Sequence, residues 1–203
     1  MTVKAFVFDC GGVLLRDGDL HIYKKWAERL ELTSDELGER LWRGQTRALA
    51  ERGQITEQAF WQRTGRALGL EDAGQIVALR EDIWSAWVVD EDVLRLIDRV
   101  GKHFRVAALS NATDALEDAL RHRYGVRDRF EAVVSSACVG MVKPEEGIYR
   151  EVLDRLQLAP QEVVFIDDRA ENVIAAAALG MHIIWFVGPQ ELERQLQVYL
   201  SEG

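Results

Sequence analysis

Four short polar clusters interrupt apolar stretches of the chain, and their residue types together could move a phosphoryl group. Asp9 follows the run Val3 to Phe8 and is itself followed by Gly11 and Gly12. Ser110 and Asn111 follow Phe104 to Leu109, Lys143 precedes Pro144, and the pair Asp167 and Asp168 follows Val163 to Ile166. Asp9 and the aspartate pair end segments too hydrophobic to lie on a surface, and clustered carboxylates repel one another unless a cation sits between them. Such an oxygen-rich cluster suits Mg²⁺, which takes one or two carboxylates, waters and substrate phosphate oxygens. Ser110 and Asn111, read as standing at a helix N-terminus, would add a hydroxyl, an amide and backbone N–H groups as an anion site, and Lys143 a compact positive charge. Any one of these residues alone would equally suit a solvated rim. A metal, a carboxylate nucleophile, anion donors and a lysine together are the parts of phosphoryl transfer through an aspartyl-phosphate.

Periodicity supplies the elements that would bring these clusters together. Val3 to Phe8, Phe104 to Leu109, Glu131 to Val134, Val163 to Ile166 and Ile183 to Val187 are short runs that read as strands, the first of them as a buried one. Helical spacing separates them: Val93 to Val100, about Thr113 to His122, a helix opened by Pro144 with Ile148, Val152, Leu153 and Leu156 on its inner face, an Ala-rich helix closed by Gly180, and a terminal helix. Strands alternating with helices predict an α/β fold, a doubly wound parallel sheet whose strand carboxyl ends share one edge. Between Asp19 and Trp87 the pattern is helical throughout, Ser34 and Thr56 read as N-caps, and Trp26, Trp42, Trp61, Trp84 and Trp87 are concentrated there. The expected organisation is an α/β core of residues 1–16 and 89–203, with residues 17–88 inserted after the first strand as an all-helical cap.

Taken in order, Phe8-Asp9-Cys10-Gly11-Gly12-Val13-Leu14, Leu109-Ser110-Asn111, Val142-Lys143-Pro144 with Ile148-Tyr149, and Phe165-Ile166-Asp167-Asp168-Arg169 with Asn172 resemble the four motifs of the haloacid dehalogenase superfamily. The likeness is to the phosphohydrolases with a helical cap between the first and second motifs, and it covers essentially the whole chain. It implies a Rossmann-like core and a Mg²⁺-dependent hydrolase of phosphoric monoesters, acting on a small-molecule phosphate substrate such as a sugar phosphate. Carried over position by position, it makes Asp9 the nucleophile, has Ser110 and Asn111 hold the phosphoryl oxygens, and has Lys143 neutralise Asp9 and the transferring group. It gives Mg²⁺ Asp9, Asp168 and the backbone carbonyl of Gly11 as ligands, with Asp167 assisting through a water or a hydrogen bond.

The sequence departs from that pattern at one position. Most phosphatases of the superfamily carry a second aspartate two residues after the nucleophile, acid for the leaving group and then base for water, where this chain has Gly11. A positioned acid/base is typically worth roughly 10² to 10⁴ in rate. Four readings account for its loss: a substrate with a good leaving group, such as an anomeric, acyl or aryl phosphate; a substitute acid, Asp17 or His21 in the linker; a slow enzyme or a binding or regulatory protein; or carbon–halogen or carbon–phosphorus hydrolysis. The aspartate pair disfavours the dehalogenase reading, since those enzymes work without metal, and Lys24 and Lys25 suit a solvated helix face. Specificity is expected in the cap, where a closing lid excludes water. Trp42 and Trp61 suit its core, and Arg43 and Arg47 its surface, better than they suit pocket walls. Cys10 reads as an inert filler at a strand end, His182 as a core or sheet-edge histidine, and Arg169 as a surface residue at a helix start.

Composition sets outer limits. A chain of 203 residues, 48% hydrophobic and 29% charged, suits a soluble globular protein of one domain, or of one domain plus an insertion. Its 34 acidic against 25 basic residues, a net charge of -9, argue against nucleic acid or an anionic membrane as partner. They leave room for a phosphate ester, because a metal, Lys143 and oriented N–H groups can reverse the field locally. No apolar run approaches the roughly 18 to 20 residues of a membrane span and no signal-peptide pattern stands at the N-terminus, so a cytoplasmic protein is expected. Cys10 and Cys138, neither in a CxxC pair, suit a reducing compartment. Nothing in the sequence points to an oligomeric state.

Overall fold

Every residue of β1 (Ala5–Phe8) is buried, which is why it carries no polar side chain: a central strand of a parallel sheet is covered on both faces. In the computed structural model, which describes residues 2–201, β1 pairs in parallel with β4 (Arg105–Ser110) on one side and β6 (Val163–Asp167) on the other. Residues 1, 202 and 203 of the expected core lie outside the described residues. With β5 (Ala132–Ser135) and β7 (His182–Trp185) the sheet has the order β5-β4-β1-β6-β7, all parallel.

Successive residues of the central strands feed opposite layers. Phe6, Phe8, Val106, Ala108, Val164 and Ile166 pack with α6 (Glu91–Val100) and α11 (Pro189–Leu200). Val7, Ala107, Leu109 and Phe165 pack with α9 (Glu146–Leu156) and α10 (Ala170–Ala178). The sheet is therefore doubly wound, as expected. Strand order reverses between β1 and β6, and in such sheets the crevice at the carboxyl ends of the reversing strands is the ligand site. Phe8 lies level with Ile166, which sets Asp9 beside Asp167 there.

The stretch between β1 and α6 folds as α1 (Leu20–Arg29), α2 (Ser34–Trp42), α3 (Gln45–Glu51), α4 (Glu57–Ala67) and α5 (Ala73–Ala86) around a core of its own that includes Trp26, Leu37, Leu41, Phe60, Trp61, Leu79 and Ile83. Thr56 caps α4 as expected. The cap of α2 is Thr33 rather than Ser34: its hydroxyl accepts the Glu36 N–H while the Glu36 carboxylate takes the Thr33 N–H, a reciprocal pairing that Ser34, one residue later, does not make.

Three expectations about elements are corrected. First, the helical stretch is bracketed by an antiparallel ribbon, β2 (Leu15–Asp17) with β3 (Trp87–Val89), too short to leave a periodic signal; Trp87 packs against the α/β core. Second, the helix expected from Thr113 begins at α7 (Leu116–Asp118), widening into a looser coil over Ala119–Arg123. The hydroxyls of Ser135 and of Ser136, the first residue of α8 (Ser136–Val139), hold the Ala112–Thr113 backbone out of the helix, so Ser110 and Asn111 do not stand at a helix N-terminus. Third, Pro144 does not open α9. It follows Lys143 through a cis peptide bond within a turn closed by the Glu145 N–H on the Val142 carbonyl, and the helix starts at Glu146.

Candidate active site

Asp9 stands one residue past β1, 5% exposed. Its Oδ1 accepts the Cys10 N–H at 2.7 Å and Lys143 Nζ at 2.9 Å. Among the described residues no donor reaches Oδ2, and Asp9 lines a recess of about 120 Å³ shared with Gly11, Ser110, Lys143 and Glu51.

Lys143 is buried, and its three ammonium protons meet three acceptors: Asp9 Oδ1, Asp167 Oδ2 at 2.6 Å and the Leu109 carbonyl at 3.2 Å. Its backbone is gripped by Asn111, whose Oδ1 accepts the Lys143 N–H at 2.7 Å and whose Nδ2 donates to the Lys143 carbonyl at 3.0 Å. The side-chain amide of Asn111, expected to hold phosphoryl oxygens, is thus engaged in holding the lysine loop. Ser110 is buried and lines the recess.

Asp167 is fully buried, and both its oxygens are committed. The Arg169 N–H and Asn172 Nδ2 bond Oδ1, while Lys143 and Asn172 Nδ2 bond Oδ2. Asn172, given no role from sequence, is the second clamp on this carboxylate. Asp168 is less buried and lies against Gly12, which has φ +83°; a Cβ there would come within 2.4 Å of Asp168 Oδ2. Gly12 therefore both turns the chain and leaves space for that carboxylate.

Oxygens of Asp9, Asp167 and Asp168 lie within 4.8 Å of one another. Burial pushes the Asp9 carboxyl up to about 7, Asp167 and Asp168 adding to the rise and Lys143 opposing it. Burial, then Asp167, raises Asp168 as well. Burial pulls Lys143 down, but Asp9 and Asp167 outweigh it and hold the ammonium above its ordinary value. One buried lysine does not offset three carboxylates, and Arg169 at the rim is paired with Glu171, so the site favours a further hard cation, toward which Asp9 and Asp168 can each turn an oxygen while Asp167, with both oxygens committed, cannot.

Gly11 faces open space on the recess side: a Cβ there would meet the Trp87 ring at 3.8 Å, an ordinary contact. Neither Asp17 nor His21 lines the recess. Asp17 accepts the Tyr23 hydroxyl at 3.3 Å, and that hydroxyl in turn accepts the indole N–H groups of Trp42 and Trp87. Arg43 is exposed and paired with Glu39, as expected, and Trp61 is buried in the helical core. Arg47 is a correction. Its side chain is only 12% exposed, wedged between Trp42 and Phe60, with Nε on Glu51 at 2.8 Å and Nη2 on the Asn111 carbonyl at 3.4 Å. Beyond it lies a larger cavity of about 410 Å³ at the seam between the helical segment and the α/β core, walled by Leu15, Trp84, Leu116, Tyr124 and Glu57.

Cys10 is buried against this site, and burial followed by the charge of Asp9 pushes its thiol up to about 12, whereas Cys138 is exposed. A thiol-reactive dye at about pH 8 is therefore expected to count one fast thiol in the native protein and two after denaturation. Two fast native thiols would contradict the burial of Cys10.

The model of the family described as haloacid dehalogenase-like hydrolase matches residues 3–180. The chain is 29% identical over 181 residues to a sesquiterpene phosphatase of Aspergillus oryzae, covering 89% of this chain and 88% of that protein. It is 38% identical over 75 residues to acyl-CoA dehydrogenase family member 10 of Mus musculus, covering 37% of this chain and 7% of that much longer protein. In fold it is similar to a HAD family enzyme of Bacteroides thetaiotaomicron solved in complex with magnesium and inorganic phosphate, with a TM-score of 0.72 and 24% identity over 90% of this chain and 93% of that one. No helix among the described residues is long and apolar enough to cross a membrane.

Proposed function

The chain belongs to the haloacid dehalogenase-like hydrolase family, and we propose that within it the protein is a Mg²⁺-dependent hydrolase of a small phosphorylated metabolite, working through an aspartyl-phosphate on Asp9. The observation that carries this reading is the state of the Asp9 carboxylate. Oδ1 is pinned by two donors, and Oδ2 is left without a protein partner beside a recess of about 120 Å³. Ser110 lines the same recess, so a phosphoryl group entering it meets the free oxygen with a hydroxyl donor beside it.

Residues 1–16 and 89–203 act in this reading as the catalytic core and residues 17–88 as its cap, with the seam cavity receiving the organic part of the ester. Asp9, Asp168 and the Gly11 carbonyl would hold Mg²⁺, and the space that Gly12 keeps for Asp168, together with the uncompensated charge of the carboxylates, supports that fit. When bound, the ion supplies positive charge that draws the phosphate to the carboxylates and offsets charge on the transferring group.

The protein's own residues account for the remaining steps. Asp9 Oδ2 forms the bond to phosphorus as the ester oxygen departs with its electron pair, the Ser110 hydroxyl donates to a phosphoryl oxygen, and Lys143 holds Asp9 in place and balances its charge. Asp167 and Asn172 keep Lys143 aimed. With no acid at position 11, esters with a stable leaving oxygen, anomeric sugar phosphates and aryl phosphates among them, are the favoured substrates.

Turnover of p-nitrophenyl phosphate and of a sugar-phosphate panel, lost on adding EDTA, is the direct test. Mg²⁺ binding without turnover on a broad panel would leave the binding or regulatory reading in its place. A second measurement concerns the ion alone. Restoring Mg²⁺ to EDTA-treated protein at about 100 times its Kd is worth about 2.7 kcal/mol, a rise of roughly 5–10 °C in Tm for a chain of this size. Asp168→Asn is expected to remove most of that rise, and an undiminished rise would take Asp168 out of the ligand set.

A further inference from the structure

We propose that Glu51, carried by the helical segment, supplies the carboxylate that Gly11 withholds, acting as general base on the water that releases phosphate from Asp9; this rests on the phosphoenzyme reading above. Among the described residues, Asp9 and Glu51 are the carboxylates that line the recess. A water that shares the recess with a phosphoryl group therefore has Glu51 in its wall. Like Asp9, Glu51 has one oxygen occupied and one not: Oε1 accepts Arg47 Nε at 2.8 Å, and no donor among the described residues reaches Oε2.

Glu51 is not a side chain that happens to hang over the site. Gly53, with φ +67°, brings its backbone so near α8 that a Cβ would lie 2.0 Å from the Ala137 carbonyl oxygen. Arg52 pairs with Glu145, two residues past Lys143. Arg47 joins Glu51 to the Asn111 carbonyl, and the Glu57 N–H donates to Asp114 Oδ1 at 2.7 Å. These contacts tie the end of α3 and the start of α4 to the loops that hold Ser110 and Lys143, which sets residue 51 at the recess whenever the segment is seated.

The step balances without any further reactant. A water proton passes to Glu51 Oε2 as the water oxygen bonds phosphorus, and the bond from phosphorus to Asp9 Oδ2 breaks, its electron pair returning to the carboxylate. Glu51 then yields the proton to solvent. An ion-paired carboxylate serves the second half of the reaction and leaves the first unassisted, which agrees with an enzyme that needs a good leaving group.

Rapid-quench kinetics with p-nitrophenyl phosphate test this. In Glu51→Gln the first turnover should release nitrophenol as fast as in the parent, kcat should fall roughly 10²- to 10⁴-fold, and intact mass should show one phosphoryl group accumulated on Asp9. Adding Gly11→Asp to that variant should speed dephosphorylation again, since a side chain at position 11 is sterically admitted. Glu51→Gln with a kcat within about twofold of the parent, or with a low kcat and no accumulated phosphoenzyme, overturns the proposal. If the parent itself yields neither nitrophenol nor phosphoenzyme, the phosphatase reading fails first, a result distinct from either.

Discussion

Asp9→Asn is expected to lower kcat by at least about 10⁴-fold and to abolish phosphoryl incorporation, while the protein remains folded. Asparagine has the same shape, and its amide oxygen can keep the Cys10 N–H and Lys143 contacts now made by Oδ1. What it lacks is a charged oxygen to attack phosphorus. The variant also removes one of three carboxylates crowded within 4.8 Å, and burial, added to by that crowding, is what raises Asp9 to about 7. In EDTA its Tm is therefore expected to equal or exceed that of the parent, a separation of function from stability common where like charges are clustered for chemistry. Stopped-flow turnover and a melting curve on the same preparation check both halves. Turnover above about 1% of the parent would remove Asp9 from the nucleophile's role, and a Tm several degrees lower would contradict the electrostatic account.

Lys143→Met should produce the largest loss of stability available at a single position in the site. The lysine side chain is 1% exposed and bridges Asp9 and Asp167, so its removal strands two buried carboxylates. Breaking a buried ion pair by deleting one partner typically costs about 3–5 kcal/mol, or roughly 6–20 °C in Tm for a chain of this length. The pH dependence has a definite sign. Asp9 titrates near 7 rather than at its ordinary 3.8, so folding takes up a proton there and stability falls as pH rises through that interval. Removing the cation that opposes this rise carries the interval upward. The deficit of the variant should be widest at alkaline pH and narrow as pH falls toward about 5. Melting curves across that range in EDTA provide the measurement, and a deficit independent of pH would show that packing, not charge, dominates.

How far these features can be read from sequence depends on how local their causes are. β1, β4 and β6 are legible because burial on both faces demands unbroken apolar runs, and Asp9 and Asp167 stand out because they end such runs. β2 and β3 are not, since segments of three residues are too short to show a period. The late start of α7 depends on the hydroxyls of Ser135 and Ser136, a strand away, and no local pattern announces it. The engagement of Asn111 with the Lys143 backbone belongs to a meeting of two loops. Arg47 reads as a surface residue and Glu51, one helical turn on, carries no signal of its own; only tertiary packing buries the arginine and places the glutamate at the recess. Residues contributed from across a seam are the ones sequence reasoning passes over, because their neighbours in space are nowhere near them in the chain.

The ribbon of β2 and β3 bears on how such a protein can change over time. Leu15 pairs with Val89 and Asp17 with Trp87, so the chain departs from the α/β core and returns to it one strand spacing apart. As a polymer, everything beyond that neck is a loop already closed, and closure entropy grows by only about 0.6 kcal/mol for each doubling of loop length. Insertions, deletions or wholesale exchange of the five helices would leave the pairing of β1 with β4 and β6 undisturbed. The helical segment, position 51 apart, can then vary as a replaceable cartridge, while the sheet that sets Asp9 beside Asp167 is inherited almost unaltered.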